Sequence, residues 1–334
     1  MAGMKIAHLA RWLEVGGTER IILDLCRLGS GRQWVVGCQD GPMRAMLERQ
    51  GTEVRLAAKP EQLPDLLADA DVVNVHWLEY QTGLFAAAAA SGKPVVFTLH
   101  GCSVLPELPG PVLCTSRRVY DMQKANLERR LLIPNAIDTS LFRPARARRA
   151  GPVRIIRVCR PIRCAEYFWA AVSRVLECCP DVEVKLVGGP TFRSGRIESL
   201  GDCHDVPCHL ADSDIFAYAP WPHEGTLDLV VLEAMASGLA CVLSDVPCIR
   251  ESVQHGENGL LTPFGDAEAF AQSIIRLVRD GSLRKSLGQR AVQVARERFD
   301  MRKRVALYEA AYDQALSESL SWQEAAVPAY EMAG

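Results

Sequence analysis

The stretch Ile215-Phe-Ala-Tyr-Ala-Pro-Trp-Pro-His-Glu-Gly-Thr-Leu-Asp-Leu-Val-Val-Leu-Glu-Ala-Met-Ala-Ser-Gly-Leu-Ala-Cys-Val-Leu243 decides the fold. Residues 215–219 and 240–243 are short, wholly apolar runs. Between them lies a polar loop, then residues 229–237, which read as a helix stopped by Gly238. Two apolar strands joined through a helix form a βαβ unit. Strands without polar alternation belong to a parallel sheet covered on both faces.

Outward from this unit the same alternation continues. Upstream, residues 153–158 and 182–187 read as strands, and residues 166–178 as a helix that ends before Pro180. Downstream come a strand at 259–262, helices at 266–279 and 283–298, and a last helix from Asp300 to about residue 320. The first half repeats the pattern. Strands are expected at 5–10, 34–38, 54–57, 72–75, 95–99, 112–114 and 131–133. Gly16-Gly17 makes a turn after the first of them, with Thr18 as the expected cap of a helix to residue 28. The run from Arg143 to Pro152 is basic and flanked by Pro and Gly, the composition of a linker. The expected architecture is therefore α/β, with doubly wound Rossmann-like domains at 1–149 and 150–302 and a terminal helix and tail at 303–334. Two such domains in series would enclose a cleft, and ligands of such sheets bind beyond the carboxyl ends of the strands.

Composition narrows the function. The 334 residues carry a net charge of −2, which gives no reason to expect nucleic acid as a partner. Residues 1–150 hold 19 Lys+Arg against 15 Asp+Glu, a balance of +4, and the remainder 19 against 25, a balance of −6. The first half is the better host for an anionic partner, and a peripheral membrane contact stays open. No secretory leader is read, because Arg11 and Glu14 interrupt the early apolar run. No apolar stretch is long enough for a transmembrane segment. Twelve scattered cysteines without a leader are expected to be reduced, mostly buried thiols of a cytoplasmic protein. Cys203, His204, Cys208 and His209 are zinc-type ligands, but at no standard spacing, so no metal site is expected.

Several residues can carry chemistry. Gly16 and Gly17, between a strand and a helix, let backbone amides approach a phosphate. They do not form a dinucleotide-binding glycine fingerprint. His100 ends the strand 95–99, where a histidine can donate to a hydroxyl or stabilise charge. His76 and Trp77 end the neighbouring strand and are acceptor-side candidates. In the deciding stretch, the amides of residues 226–230 open a helix and would face a diphosphate. Glu224 in the loop and Glu233 one turn into the helix could accept from hydroxyls.

These segments, taken together, resemble glycosyltransferase family 4, retaining enzymes of the GT-B fold. Glu224 to Glu233 resembles the family's E-x7-E region. Gly16-Gly17-Thr18-Glu19 is similar to its first glycine loop, and Thr98-Leu99-His100 to its T-x-H strand end. Ile133-Pro134-Asn135-Ala136-Ile137-Asp138, Leu186-Val187-Gly188-Gly189-Pro190 and Gly256-Glu-Asn258-Gly259-Leu260-Leu261 resemble three further family motifs, in the right order. The resemblance implies two Rossmann-like domains facing each other across a cleft, acceptor on the N-terminal side and nucleotide sugar on the C-terminal side, with residues 303–320 crossing back to the first domain. It implies a nucleoside-diphosphate sugar as co-substrate (a UDP sugar first, GDP-mannose second) with no cofactor or metal required. Donor-binding residues would be Gly16, Gly17, Arg160, Arg163, Gly225, Thr226, Leu227, Asp228, Leu229, Val230 and Glu233. His100, Glu224 and Arg160 would act at the reacting sugar and its leaving group. The acceptor would be a hydroxyl of a small molecule, a saccharide or a lipid-linked compound.

Three features depart from the family. Its phosphate-binding lysine falls on Ala165, with Arg163 as the available substitute. The Glu224–Glu233 spacing is one residue longer. The first domain is short between His100 and Asn135. A silent sugar-nucleotide-binding subunit and a sugar-nucleotide epimerase on the same fold are the alternatives. Asp212-Ser213-Asp214 spells the metal-binding motif of another glycosyltransferase fold, but it precedes an apolar strand and reads as a strand start.

Overall fold

The computed structural model describes residues 3–76, 88, 90–145, 151–159, 166–203, 205–222 and 228–318. Contacts divide the chain into two units, residues 1–134 with 302–334, and residues 135–301.

The first unit holds a seven-stranded parallel sheet: β1 (Lys5–Trp12), β2 (Arg32–Gln39), β3 (Glu53–Leu56), β4 (Val72–His76), β5 (Val95–Leu99), β6 (Val112–Cys114) and β7 (Arg130–Leu132). The order is β3-β2-β1-β4-β5-β6-β7, so the chain reverses direction across the sheet at β1 and β4. One face is apolar: Ala7, Leu9, Val73, Val75, Phe97 and Leu99 lie in one core cluster. Among the residues of opposite parity in the same strands, His8, Asn74, His76 and Thr98 are polar, and all four are buried. The terminal helix Met301–Ser317 provides Tyr312, whose hydroxyl accepts from Asn74 Nδ2 at 2.8 Å, while Thr98 Oγ1 donates to Asn74 Oδ1 at 2.8 Å. A buried polar strip of this kind persists because its members satisfy one another.

The second unit repeats the plan with β8 (Val153–Val158), β9 (Val182–Val187), β10 (Thr191–Ser194), β11 (Ile197–Leu200), β12 (Ile215–Tyr218), β13 (Ala240–Ser244) and β14 (Leu260–Thr262), in the order β10-β11-β9-β8-β12-β13-β14. All pairs are parallel except β10 with β11. That hairpin is absent from the sequence reading: its first strand is fully exposed and too short to show periodicity. Gly188 and Gly189 precede it with φ of 98° and 92°, a left-handed pair that side chains resist.

The unit boundary falls earlier than the basic run. Residues 137–139 are stitched to residues 299–301 rather than to the first sheet. Ile137 N donates to Phe299 O at 3.0 Å, Met301 N donates to Ile137 O at 2.8 Å, and Thr139 bonds Asp300 through its hydroxyl. Pro144 then packs on Gly238. Residues 146–150 of the basic run lie outside the described residues. A second correction concerns the first helix. Its N-cap is Gly16, not Thr18, which is buried in the first turn of the helix Gly17–Leu28. A third concerns the thiols: of the eleven described cysteines four are buried, six half-buried and Cys208 exposed. Among the described residues no helix is long and apolar enough to cross a membrane.

Candidate functional site

In the second unit, β12 ends at Tyr218 and the helix Leu229–Ala236 begins eleven residues later. Asp228 occupies its N-cap in an extended conformation, yet its side chain makes no capping bond. The reason is Tyr218, whose hydroxyl donates to Asp228 Oδ2 at 2.9 Å. An N-cap aspartate normally satisfies the second or third amide of a helix. Here the tyrosine draws that carboxylate aside. Leu229 is buried and Val230 half-buried. Glu233, one turn on, is only 8% exposed. The helix ends at Gly238, whose φ of +79° and contact with Pro144 require glycine.

Aromatic side chains gather at the same end of this sheet. The Trp221 and Phe264 rings lie 5.8 Å apart, and Tyr167 meets Phe264 edge-on at 5.6 Å. The Tyr167 hydroxyl bonds Ser244, the last residue of β13. The sequence reading missed Tyr218, Trp221 and Tyr167; for Tyr218 alone, a hydroxyl-bearing aromatic at a strand end was the available signal.

In the first unit, three neighbouring strands supply three histidines in a row, the first from within its strand and the other two at strand ends. His8 of β1, His76 of β4 and His100 just past β5 are joined ring to ring. His8 Nδ1 lies 3.0 Å from His76 Nε2, and His76 Nδ1 lies 3.0 Å from His100 Nε2. His8 Nε2 lies 2.8 Å from Gln33 Oε1 on β2. Register brings them together, because β1 pairs β4 and β4 pairs β5, both in parallel. Burial holds all three neutral. It lowers His8 to about 4 and His100 to about 3, and His76, beside two other imidazoles, well below its ordinary value. His76 is therefore corrected as an acceptor-side residue: it is 1% exposed and both ring nitrogens are occupied by neighbours. Only His100, half-buried, reaches the strand-end surface. His8 was not foreseen.

Gly16 is extended and has no side chain to cap the helix it opens at Gly17. At the ends of β1, β2 and β3 is a cavity of about 300 Å³ whose lining includes Arg11, Cys38, Gln39, Ala57, Lys59 and Pro60. Arg160, Arg163, Trp77, Glu224, Gly225, Thr226 and Leu227 lie outside the described residues, as do Ala165 and His204.

The other motifs are structural. Asn258 accepts from Gln254 N at 2.7 Å and donates to Ser252 O at 2.8 Å, closing its own loop. Asp214 accepts from Arg154 N at 2.9 Å, and Asp212 pairs with Arg154 and, at 3.0 Å, with Lys185. Among the described residues no group of three or more potential ligands could hold a metal.

Two Rossmann-like units, each a largely parallel sheet with helices, give the α/β architecture of the GT-B fold. Residues 154–280, all in the second unit, match the family described as Glycosyl transferases group 1. The chain is 33% identical over 150 residues to the N-acetyl-alpha-D-glucosaminyl L-malate synthase of Bacillus anthracis, covering 41% of this chain and 39% of that one. It is 27% identical over 256 residues to the phosphatidyl-myo-inositol mannosyltransferase of Mycolicibacterium smegmatis, covering 67% and 66%. The matches thus span less than two thirds of either relative. Among solved structures, Anabaena Alr3699/HepE in complex with UDP and glucose superposes with a TM-score of 0.78 at 19% identity, over 93% of this chain and 100% of that one.

Proposed function

We propose that this chain is a retaining glycosyltransferase. It moves a sugar from a nucleoside-diphosphate sugar to an acceptor hydroxyl. The observation that carries the reading is the helix start at Leu229: Tyr218 diverts the Asp228 carboxylate from the first-turn amides, and a buried Glu233 follows one turn later. A helix N-terminus relieved of its own carboxylate suits a diphosphate. Glu233 then takes the ribose hydroxyls, and Glu224 the sugar. The amides of Gly225, Thr226, Leu227, Asp228, Leu229 and Val230 take the diphosphate, with Arg160 and Arg163 neutralising it. Within the first unit, the amides of Gly16 and Gly17 suit a phosphate, and His100 suits a sugar hydroxyl.

Retention follows from attack on the face the leaving group vacates, with the leaving phosphate taking the acceptor proton. Catalysis is then positioning plus stabilisation of leaving-group charge. UDP is the first expectation for the base, supported by its presence in the Anabaena structure, and GDP-mannose the second. The first unit holds the acceptor. The cavity beside Arg11 and Lys59 suits a small acceptor, or a lipid headgroup, that carries an anionic group besides its hydroxyl.

The test is a thermal-shift panel of nucleoside diphosphates and their sugars. A ligand at 100 times its Kd adds about 2.7 kcal/mol to stability. A shift with UDP, larger with one UDP sugar, is expected. No shift with any nucleotide sinks the proposal.

A further inference from the structure

The histidine row has a direction, and Gln33 sets it. Gln33 Nε2 donates to Ser30 O at 3.2 Å, which turns Oε1 toward His8. A carbonyl oxygen only accepts, so His8 Nε2 carries the proton. A neutral imidazole has one N–H, so His8 Nδ1 is a bare lone pair. His76 Nε2 must then donate to it, which leaves His76 Nδ1 bare. By the same step His100 Nε2 donates to His76 Nδ1, and His100 Nδ1 is left with its lone pair. Three bonds of 2.8, 3.0 and 3.0 Å thus pass one choice of tautomer from β2 across β1 and β4 to the end of β5. The inner members cannot escape by ionising, since His8 and His76 are sealed from solvent. Among the described residues no other hydrogen bond engages the His100 ring.

We infer that Gln33 is a positioning residue which, through His8 and His76, fixes His100 as the Nε2–H tautomer, so that His100 Nδ1 meets the ligand as a hydrogen-bond acceptor. The ligand group it selects is a neutral hydroxyl. A phosphate or carbonyl oxygen at the same place would face a lone pair and be disfavoured. The histidine therefore reads a sugar hydroxyl by accepting from it, and supplies no positive charge to the reaction. The tautomer assignment stands on the hydrogen-bond chain alone; the hydroxyl as ligand rests on the proposed function.

The test is histidine-selective 15N labelling of the full chain, read by two-bond 1H–15N correlation. Seven histidines keep the spectrum simple, and single substitutions assign it. His8, His76 and His100 are expected to show a protonated Nε2 and a bare Nδ1. Gln33→Glu, which can still only accept, retains the pattern. Gln33→Leu removes the acceptor and mixes the tautomers at all three. A protonated Nδ1 on His100 in the unsubstituted protein overturns the inference, as does an unchanged spectrum in a folded Gln33→Leu. Binding supplies the second arm. Gln33→Leu is expected to weaken UDP-glucose by about tenfold, a change of about 1.4 kcal/mol, and to leave UDP unchanged. Equal loss of both overturns the selection of a sugar hydroxyl. If the unsubstituted protein binds neither, the transferase reading fails and so does the hydroxyl assignment, while the spectrum still decides the tautomer.

Discussion

Asn74 on β4 donates to the hydroxyl of Tyr312 on the last helix across 238 residues of sequence, at 2.8 Å and wholly within the first unit's interior. The amide is held at both ends, because Thr98 donates to its Oδ1. Burial pushes the Tyr312 hydroxyl well above its usual range, so it stays protonated and neutral.

Tyr312→Phe tests how much this bond anchors the helix. The ring still fills its place, but Asn74 Nδ2 loses its acceptor inside the protein. An unsatisfied buried donor costs about 1–3 kcal/mol. The expected result is a fall of that size in urea-unfolding stability. A triple change that adds Asn74→Leu and Thr98→Val removes all three polar partners and is expected to recover part of the loss.

Apart from the β10–β11 hairpin, the strands of both sheets were legible because apolar runs of this length have little alternative. The register that makes function was not. His8, Asn74, His76 and Thr98 are polar intrusions of one parity into apolar strands. Read singly, each is an ordinary core residue; only pairing of β1, β4 and β5 shows that they form one strip. The helix Leu229–Ala236 was legible from Gly238 and the apolar run, whereas the Tyr218 to Asp228 bond depends on the path of the loop between them. Asn258 resembles a ligand-site residue in sequence, yet both ends of its amide are spent on its own loop.

Acid is expected to destabilise the first unit before ordinary carboxylate titration begins. His8 and His76 titrate near 6.5 when unfolded and only below that when folded, His8 at about 4. Between those values the unfolded chain binds more protons, so stability is full above about pH 6.5 and falls as pH drops. Each buried histidine contributes about 1.4 kcal/mol per pH unit in that window. Urea unfolding at pH 7.0 and 5.5 measures the drop, and His8→Asn is expected to reduce it. A flat profile over that range would mean that the pair ionises inside the fold.

Glycine packing separates two kinds of sensitivity in the second unit. A Cβ on Gly288 would sit 2.3 Å from the Gly238 carbonyl oxygen, backbone that cannot yield. Gly288→Ala must push the helix Gly281–Arg298 off β13, at a cost of about 1–3 kcal/mol or more. Gly256 has φ of +79° with open space around it, so Gly256→Ala pays backbone strain alone, about 1–2 kcal/mol. Thermal unfolding of the two variants should rank Gly288→Ala as the more damaging.

The diversion of Asp228 gives the sharpest check on the donor site. Tyr218→Phe removes the hydroxyl but keeps the ring. Asp228 is then able to swing back and cap the helix that Leu229 opens. Capping contributes about 1 kcal/mol, which offsets the lost hydrogen bond, so stability should change little. Donor binding should not be spared, because a carboxylate would now occupy the amides assigned to the diphosphate and repel it. A loss of about tenfold or more in UDP affinity is expected, close to 1.4 kcal/mol. If Glu233 takes the ribose as proposed, Glu233→Ala should abolish binding of UDP, and it provides the reference for complete loss. Calorimetric titration with UDP separates the cases. If Tyr218→Phe binds UDP as tightly as the unsubstituted protein while Glu233→Ala does not, the diphosphate does not sit on these amides and Asp228 is turned aside for packing alone.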